Sequence, residues 1–274
     1  PELWFLTQYY KPNNLQREKE VKKCLDLNLH FPLIDKVILL NEKKYDLPKS
    51  EKLQQIVHGK RLTYAAVIKW YQENAPANTI CVFANSDIYL DESWSQIWST
   101  NLEDKFLSLL RYDVQKDGKP SILFGPRADS QDTWVFLSDS LKTREFNWKE
   151  LEFPFGQAGC DNAINVEMLR KKFLVVNPAL SLKTHHLHTS EVRTYDPSNV
   201  VDKPMYFYVD PSGIHDMEPL TDMSKRAVYK QDVESFSRRV SSVSEKNLDV
   251  FCTMLAKQET YVLDRLSANE TTNK

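Results

Sequence analysis

The stretch Thr79-Ile80-Cys81-Val82-Phe83-Ala84-Asn85-Ser86-Asp87 decides the fold. A continuous apolar run, rather than an alternating one, reads as a strand buried on both faces. That is the habit of a parallel sheet covered by helices. The run passes directly into Asn, Ser and Asp. In open parallel sheets ligands bind just beyond the carboxyl ends of strands, so the closing triplet is also the first candidate site.

Working back toward the amino terminus, Ala66, Val67, Trp70 and Tyr71 fall at helical spacing behind Thr63, which offers an N-cap. Val37-Ile38-Leu39-Leu40 is a second buried-type strand, ended by Asn41-Glu42. Val21, Cys24, Leu25 and Leu29 mark an amphipathic helix over residues 15 to 29, and Trp4 to Tyr10 reads as a first, aromatic strand. Strand, helix, strand, helix, strand at this spacing predicts a Rossmann-like α/β domain. Its sheet is mixed but mostly parallel, with helices on both faces.

Working forward, strands are expected at Phe106–Tyr112, Thr133–Phe136, Phe173–Pro178 and Leu182–His188, with a turn at Asp117-Gly118-Lys119-Pro120 and a helix from Asp161 to Lys172. After about residue 200 the character changes. Pro204–Val209 reads as an edge strand; residues 235 to 244 are Ser-rich; Glu245 to Leu266 reads as a helix whose apolar positions are Leu248, Phe251, Leu255 and Val262. The expected division is a catalytic domain over 1–200 and a helical C-terminal extension over 201–274. The last helix is a candidate contact for an oligomer or further domains.

Composition narrows the function. Of 274 residues, 41% are hydrophobic, enough for a sizeable core, and the formal charge of -2 argues against a nucleic-acid partner held by bulk charge. Only six glycines occur, with no G-x-G-x-x-G and no G-x-x-x-x-G-K-[ST], so the usual phosphate-cradling loops are missing. The cysteines Cys24, Cys81, Cys160 and Cys252 are far apart and form no C-x-x-C, which suits a reducing, cytoplasmic compartment. No run approaches the roughly 18 apolar residues of a membrane span. The chain begins with Pro1 and is expected to be a piece of a longer protein.

Three segments carry candidate chemistry. Asp87, at the end of its strand, can hold a divalent ion through carboxylate oxygen, or simply cap a turn. In Thr184-His185-His186-Leu187-His188, strand alternation puts His186 and His188 on one face and His185 on the other. Either of the first two can supply a metal ligand or contact phosphate oxygens, or the cluster is simply solvated, and the spacing does not choose between them. In Phe155-Gly156-Gln157-Ala158-Gly159-Cys160-Asp161-Asn162, two glycines of a Gly-poor chain precede an aspartate at a helix start, where the dipole favours an ionised carboxylate. Arg127, Asp129 and the neighbouring Ser130-Gln131-Asp132 are candidates for holding sugar hydroxyls, and Lys60 and Arg61 for meeting a phosphate.

Together, Asn85-Ser86-Asp87, Gly159-Cys160-Asp161-Asn162 and His186-Leu187-His188 resemble, in kind and in order, the D-x-D element, base motif and C-terminal histidine of A-type-fold, family-2-like glycosyltransferases. Asn85 departs from the first Asp of D-x-D, which leaves Asp87 to carry most of the metal binding. The resemblance implies a nucleotide diphosphate sugar donor, a glycan or other hydroxyl acceptor and a Mn2+ or Mg2+ cofactor. Asp161 would be the catalytic base; Thr7, Gln8, Glu42, Arg61, Asn85 and Asp87 would face the donor, Gln131 and Asp132 the acceptor, and Asp87, His186 and His188 the metal. A nucleotidyltransferase of related fold is one alternative, although residues 7 to 20 lack the Gly-rich basic loop it would need. A non-catalytic carbohydrate-binding or assembly module is the other.

Overall fold

The computed structural model describes residues 1–192, 196–203, 205–217 and 227–229. In chain order the strands are β1 (Glu2–Thr7), β2 (Lys36–Asn41), β3 (Leu53–Val57), β4 (Thr79–Ala84), β5 (Ile88–Leu90), β6 (Lys105–Leu109), β7 (Tyr112–Asp113), β8 (Ile122–Leu123), β9 (Thr133–Leu137), β10 (Leu174–Val176), β11 (Thr184–His186), β12 (Met205–Phe207) and β13 (Ala227–Tyr229). The α-helices are α1 (Leu15–His30), α2 (Tyr64–Asn74), α3 (Ser138–Lys142) and α4 (Cys160–Arg170).

Seven strands form the central sheet in the order β10-β6-β9-β4-β1-β2-β3. β9 is antiparallel to both neighbours, while β1, β2, β3 and β4 pair in parallel, as do β6 and β10. The mostly parallel α/β sheet expected from the apolar runs is therefore present. Successive side chains of each strand enter opposite cores. Trp4, Leu6, Cys81 and Phe83 pack with α2 and α4 on one side, and Leu3, Phe5, Ile80 and Val82 with α1 on the other. β4 is buried at every position, which accounts for its unbroken apolar run.

Both long amino-terminal helices start as their caps dictate. Asn14 accepts from the Arg17 backbone N–H at 2.9 Å, and Thr63 from that of Ala66 at 3.2 Å. β3 was not foreseen, because Leu53-Gln54-Gln55-Ile56-Val57 is an edge strand with little burial and no apolar run.

Two expectations are corrected. Leu182–His188 is not a strand of the central sheet: β11 covers only Thr184–His186 and lies in a second sheet, ordered β5-β11-β7-β8. The expected strand at 106–112 is split, because its end leaves β6 and joins that same small sheet as β7. β5 follows β4 and β7 follows β6, so the small sheet stands over the carboxyl ends of the central strands. Farther on, β12 pairs with β13 and not with the central sheet, while Tyr206 and Phe207 lie in the α4-side core. The expected Ser-rich stretch and the helix over 245–266 lie outside the described residues.

Candidate active site at the carboxyl edge of the sheet

The chain leaves β4 at Ala84 and turns within three residues into β5, burying Asp87 to 7% exposure. β11 runs antiparallel to β5 and brings its histidines over this turn. His186 Nε2 lies 3.0 Å, and His188 Nδ1 3.7 Å, from Asp87 Oδ2. One ligand atom from each of the three residues falls within 4.8 Å of the others. His185 projects the opposite way, with Nε2 2.7 Å from Asp91 and Nδ1 2.8 Å from Ser121, and stacks on Tyr89.

The far nitrogen of each converging histidine is also held. His186 Nδ1 donates to Asp113 at 3.0 Å, and His188 Nε2 to the Val192 carbonyl at 2.7 Å. Carboxylates and carbonyls in this position fix the ring; without a metal, the inner His186 nitrogen donates to Asp87 at 3.0 Å. Two imidazole nitrogens and one carboxylate oxygen suit a divalent ion that accepts nitrogen as well as oxygen, so of the two metals that the resemblance implies the residues present fit Mn2+ better than Mg2+. Burial would raise the Asp87 pKa, but His186, His188 and Arg17 outweigh it and hold the carboxylate well below its ordinary range. Burial likewise opposes the His186 charge; Asp87 and Asp113 overcome it and lift the imidazole to about 9.

From this cluster a polar tract crosses the sheet edge. Asp113 accepts from Arg111 Nε at 2.8 Å, and Arg111 Nη1 donates to Asp132 at 3.0 Å. The other Asp132 oxygen accepts from Asn85 Nδ2 at 2.8 Å. Next to Asp132, the Gln131 backbone N–H donates to Asp161 Oδ2 at 2.9 Å. Asp161 is the second residue of α4, whose N-cap is Gly159 with a φ of 75° in the left-handed region. A Cβ there would come 3.1 Å from the Tyr206 ring. The chain's own residue 206 thus makes the close approach at this glycine.

The helix dipole does not keep Asp161 strongly acidic, as its position had suggested. Burial dominates, the Gln131 N–H offsets only part of it, and Asp132 and Asp129 add like charge, so the pKa rises to about 7. A carboxylate at that value is matched to accept a proton near neutrality.

The other sequence candidates have structural partners. Thr7 Oγ1 donates to the Ala84 carbonyl at 2.8 Å, tying β1 to β4. The Gln8 amide bridges Leu40, Lys60 and Leu62 backbone groups. Gln131 is buried, receiving the amides of Asn162 and Asn165 on its carbonyl oxygen. Glu42 and Arg61 are exposed, and Arg61 donates to the Phe155 carbonyl at 2.6 Å beside Gly156.

Sequence reasoning missed Arg17, which donates to Asp87 and, at 3.0 Å, to Glu20. It also missed Arg111 and Asp113. The signals were there: Arg17 is in helical phase with the buried Val21, Cys24 and Asn28. Arg111 and Asp113, two apart after a strand, share a face.

No family model and no curated protein matches the chain. Similar solved structures include a 4-diphosphocytidyl-2C-methyl-D-erythritol synthase from Anaerococcus prevotii, at 11% identity over 72% of this chain and 93% of that one, with a TM-score of 0.42. A second is a glycosyltransferase involved in glycosylation of the major capsid of PBCV-1, at 12% identity over 69% of this chain and 95% of that one, TM-score 0.37. A third is a 2-C-methyl-D-erythritol 4-phosphate cytidylyltransferase from Francisella tularensis, at 14% identity over 52% and 76%, TM-score 0.34. At these scores the likeness decides neither substrate nor reaction. Among the described residues no helix is long and apolar enough to cross a membrane.

Proposed function

We propose that this chain is a nucleotide-sugar-dependent glycosyltransferase that inverts configuration at the anomeric carbon. The observation that supports the reading is the polar tract at the sheet's carboxyl edge, with an ionised, ligand-type carboxylate at Asp87 and a proton-accepting one at Asp161. Asp87, His186 and His188 would hold a divalent ion. When bound, that ion neutralises charge on a diphosphate leaving group. Asp161 takes the proton from an acceptor hydroxyl as its oxygen attacks the anomeric carbon, and the bond to the diphosphate breaks on the opposite face. The bonds from Arg111 and Asn85 fix the Asp132 carboxylate, which orients the acceptor beside Asp161. Arg61 and the residues at the ends of β1 and β2 line the donor side.

A thermal-shift screen with and without Mn2+ tests the reading, because a ligand that binds only the native state raises the melting temperature by mass action. The expected result is a rise with a nucleotide diphosphate sugar that needs the metal. A rise only with nucleoside triphosphates would point to nucleotidyl transfer. No response to any nucleotide would leave a non-catalytic module.

A further inference from the structure

We propose that Arg17 and Glu20, both on α1, are positioning residues that hold residues 187–190 so that His188 faces Asp87. The inference rests on the reading that Asp87, His186 and His188 hold a divalent ion. β11 ends at His186, so strand pairing places His186 but not His188. One backbone bond continues past the strand, from the Leu187 N–H to the Asp87 carbonyl at 2.9 Å.

Beyond it the segment is held by α1. Glu20 Oε1 accepts from the Thr189 N–H at 2.8 Å, the Thr189 hydroxyl at 2.9 Å and the Ser190 N–H at 2.9 Å. Glu20 Oε2 accepts from the Ser190 hydroxyl at 3.1 Å and from Arg17 Nη1 at 3.0 Å. The same Arg17 nitrogen donates to the Leu187 carbonyl at 3.0 Å, and Nη2 donates to Asp87. The pair thus grips the chain on both sides of His188 and ties it to the carboxylate that His188 faces.

Arg17 and Glu20 are 6% and 5% exposed. A buried ion pair is weak evidence for stability, since an apolar pair of like volume often serves as well. What an apolar pair cannot do is fix the path of a loop through directed bonds, five of which reach residues 187–190 here. The planar guanidinium fork reaches Glu20, Leu187 and Asp87 together, a geometry that a lysine ammonium does not reproduce.

The test uses the full chain, with Arg17→Lys, Glu20→Gln and, for reference, His188→Ala. Calorimetry with Mn2+ should show affinity about 10–100-fold weaker in the first two, the usual cost of losing an outer-shell partner. The absorption spectrum of bound Co2+ should shift toward that of His188→Ala, a change that general loosening would not produce. In metal-free protein, amide exchange at Thr189 and Ser190 should quicken while circular dichroism stays the same. If Arg17→Lys fails to fold, the isosteric Glu20→Gln decides. Folded variants with wild-type Mn2+ affinity and Co2+ spectrum would overturn the proposal. Wild-type protein that binds neither ion would refute the metal reading instead. The metal-free exchange rates would then support the positioning role by rising in the variants, or refute it by staying put.

Discussion

Asp87 and Asp161 are both acids drawn into the carboxyl edge of one sheet, and the protein moves them in opposite directions. Burial pushes each toward the neutral form. Around Asp87 it is overcome by His186, His188 and Arg17, so the group stays ionised. Around Asp161 the neighbouring charges are Asp132 and Asp129, which add to burial and lift the pKa to about 7. A carboxylate that must hold a cation needs permanent charge; one that must accept a proton needs a value near the working pH. The same residue type can serve both ends of one reaction because its neighbours differ, and the tract through Asp113, Arg111 and Asp132 keeps the two environments distinct yet connected.

The comparison breaks most completely at Asp87. Asp87→Ala should abolish Mn2+-dependent binding of a nucleotide diphosphate, read by calorimetry; full activity in excess chelator would remove the metal from the account. Next comes Asp161→Asn, which keeps size and hydrogen-bonding reach but not basicity. Transfer should fall by at least about 10²-fold with donor affinity little changed, the mark of an interaction used in the transition state. A product of retained configuration would count against the role.

A smaller effect sharpens the contrast through stability. The folded-state pKa of Asp161, about 7, lies above its ordinary 3.8. Its part of the stability is therefore whole below about pH 4 and lost as pH rises through 7. Asp161→Asn should melt higher than wild type at pH 8, with the gap closing toward pH 4. For Asp87 the sign reverses: its pKa is depressed, so its contribution is present above the ordinary carboxylate value and lost as pH falls below it. Least affected should be His185→Ala. Its ring faces Asp91 and Ser121, so Mn2+ affinity should stay within about twofold of wild type. A large loss would mean that the far face of β11 also shapes the site.

Much of this was legible in the sequence where burial leaves a periodic trace. The unbroken runs of β1, β2 and β4 and the cap Thr63 follow from local chemistry. The small sheet was not legible, because two- and three-residue strands leave no pattern and their pairing is set by where the larger sheet ends. Of the site, the strand end at Asp87 and the opposite facing of His185 and His186 could be read one residue at a time, whereas His188 lies past the end of β11 and alternation does not place it. The roles of Arg17 and Arg111 could not, since each depends on partners such as Asp87 and Asp132, 70 and 21 positions away.

The opposed ionisation of the two acids can be read directly. In metal-free protein carrying 13Cγ-labelled aspartate, with Asp87→Asn and Asp161→Asn used to assign the resonances, a carbon-detected pH titration follows both carboxyl groups at once. The account predicts that Asp161 titrates near pH 7 while Asp87 stays ionised to well below the ordinary carboxylate range. An Asp161 already ionised at pH 5, or an Asp87 that takes up a proton near neutrality, would contradict it.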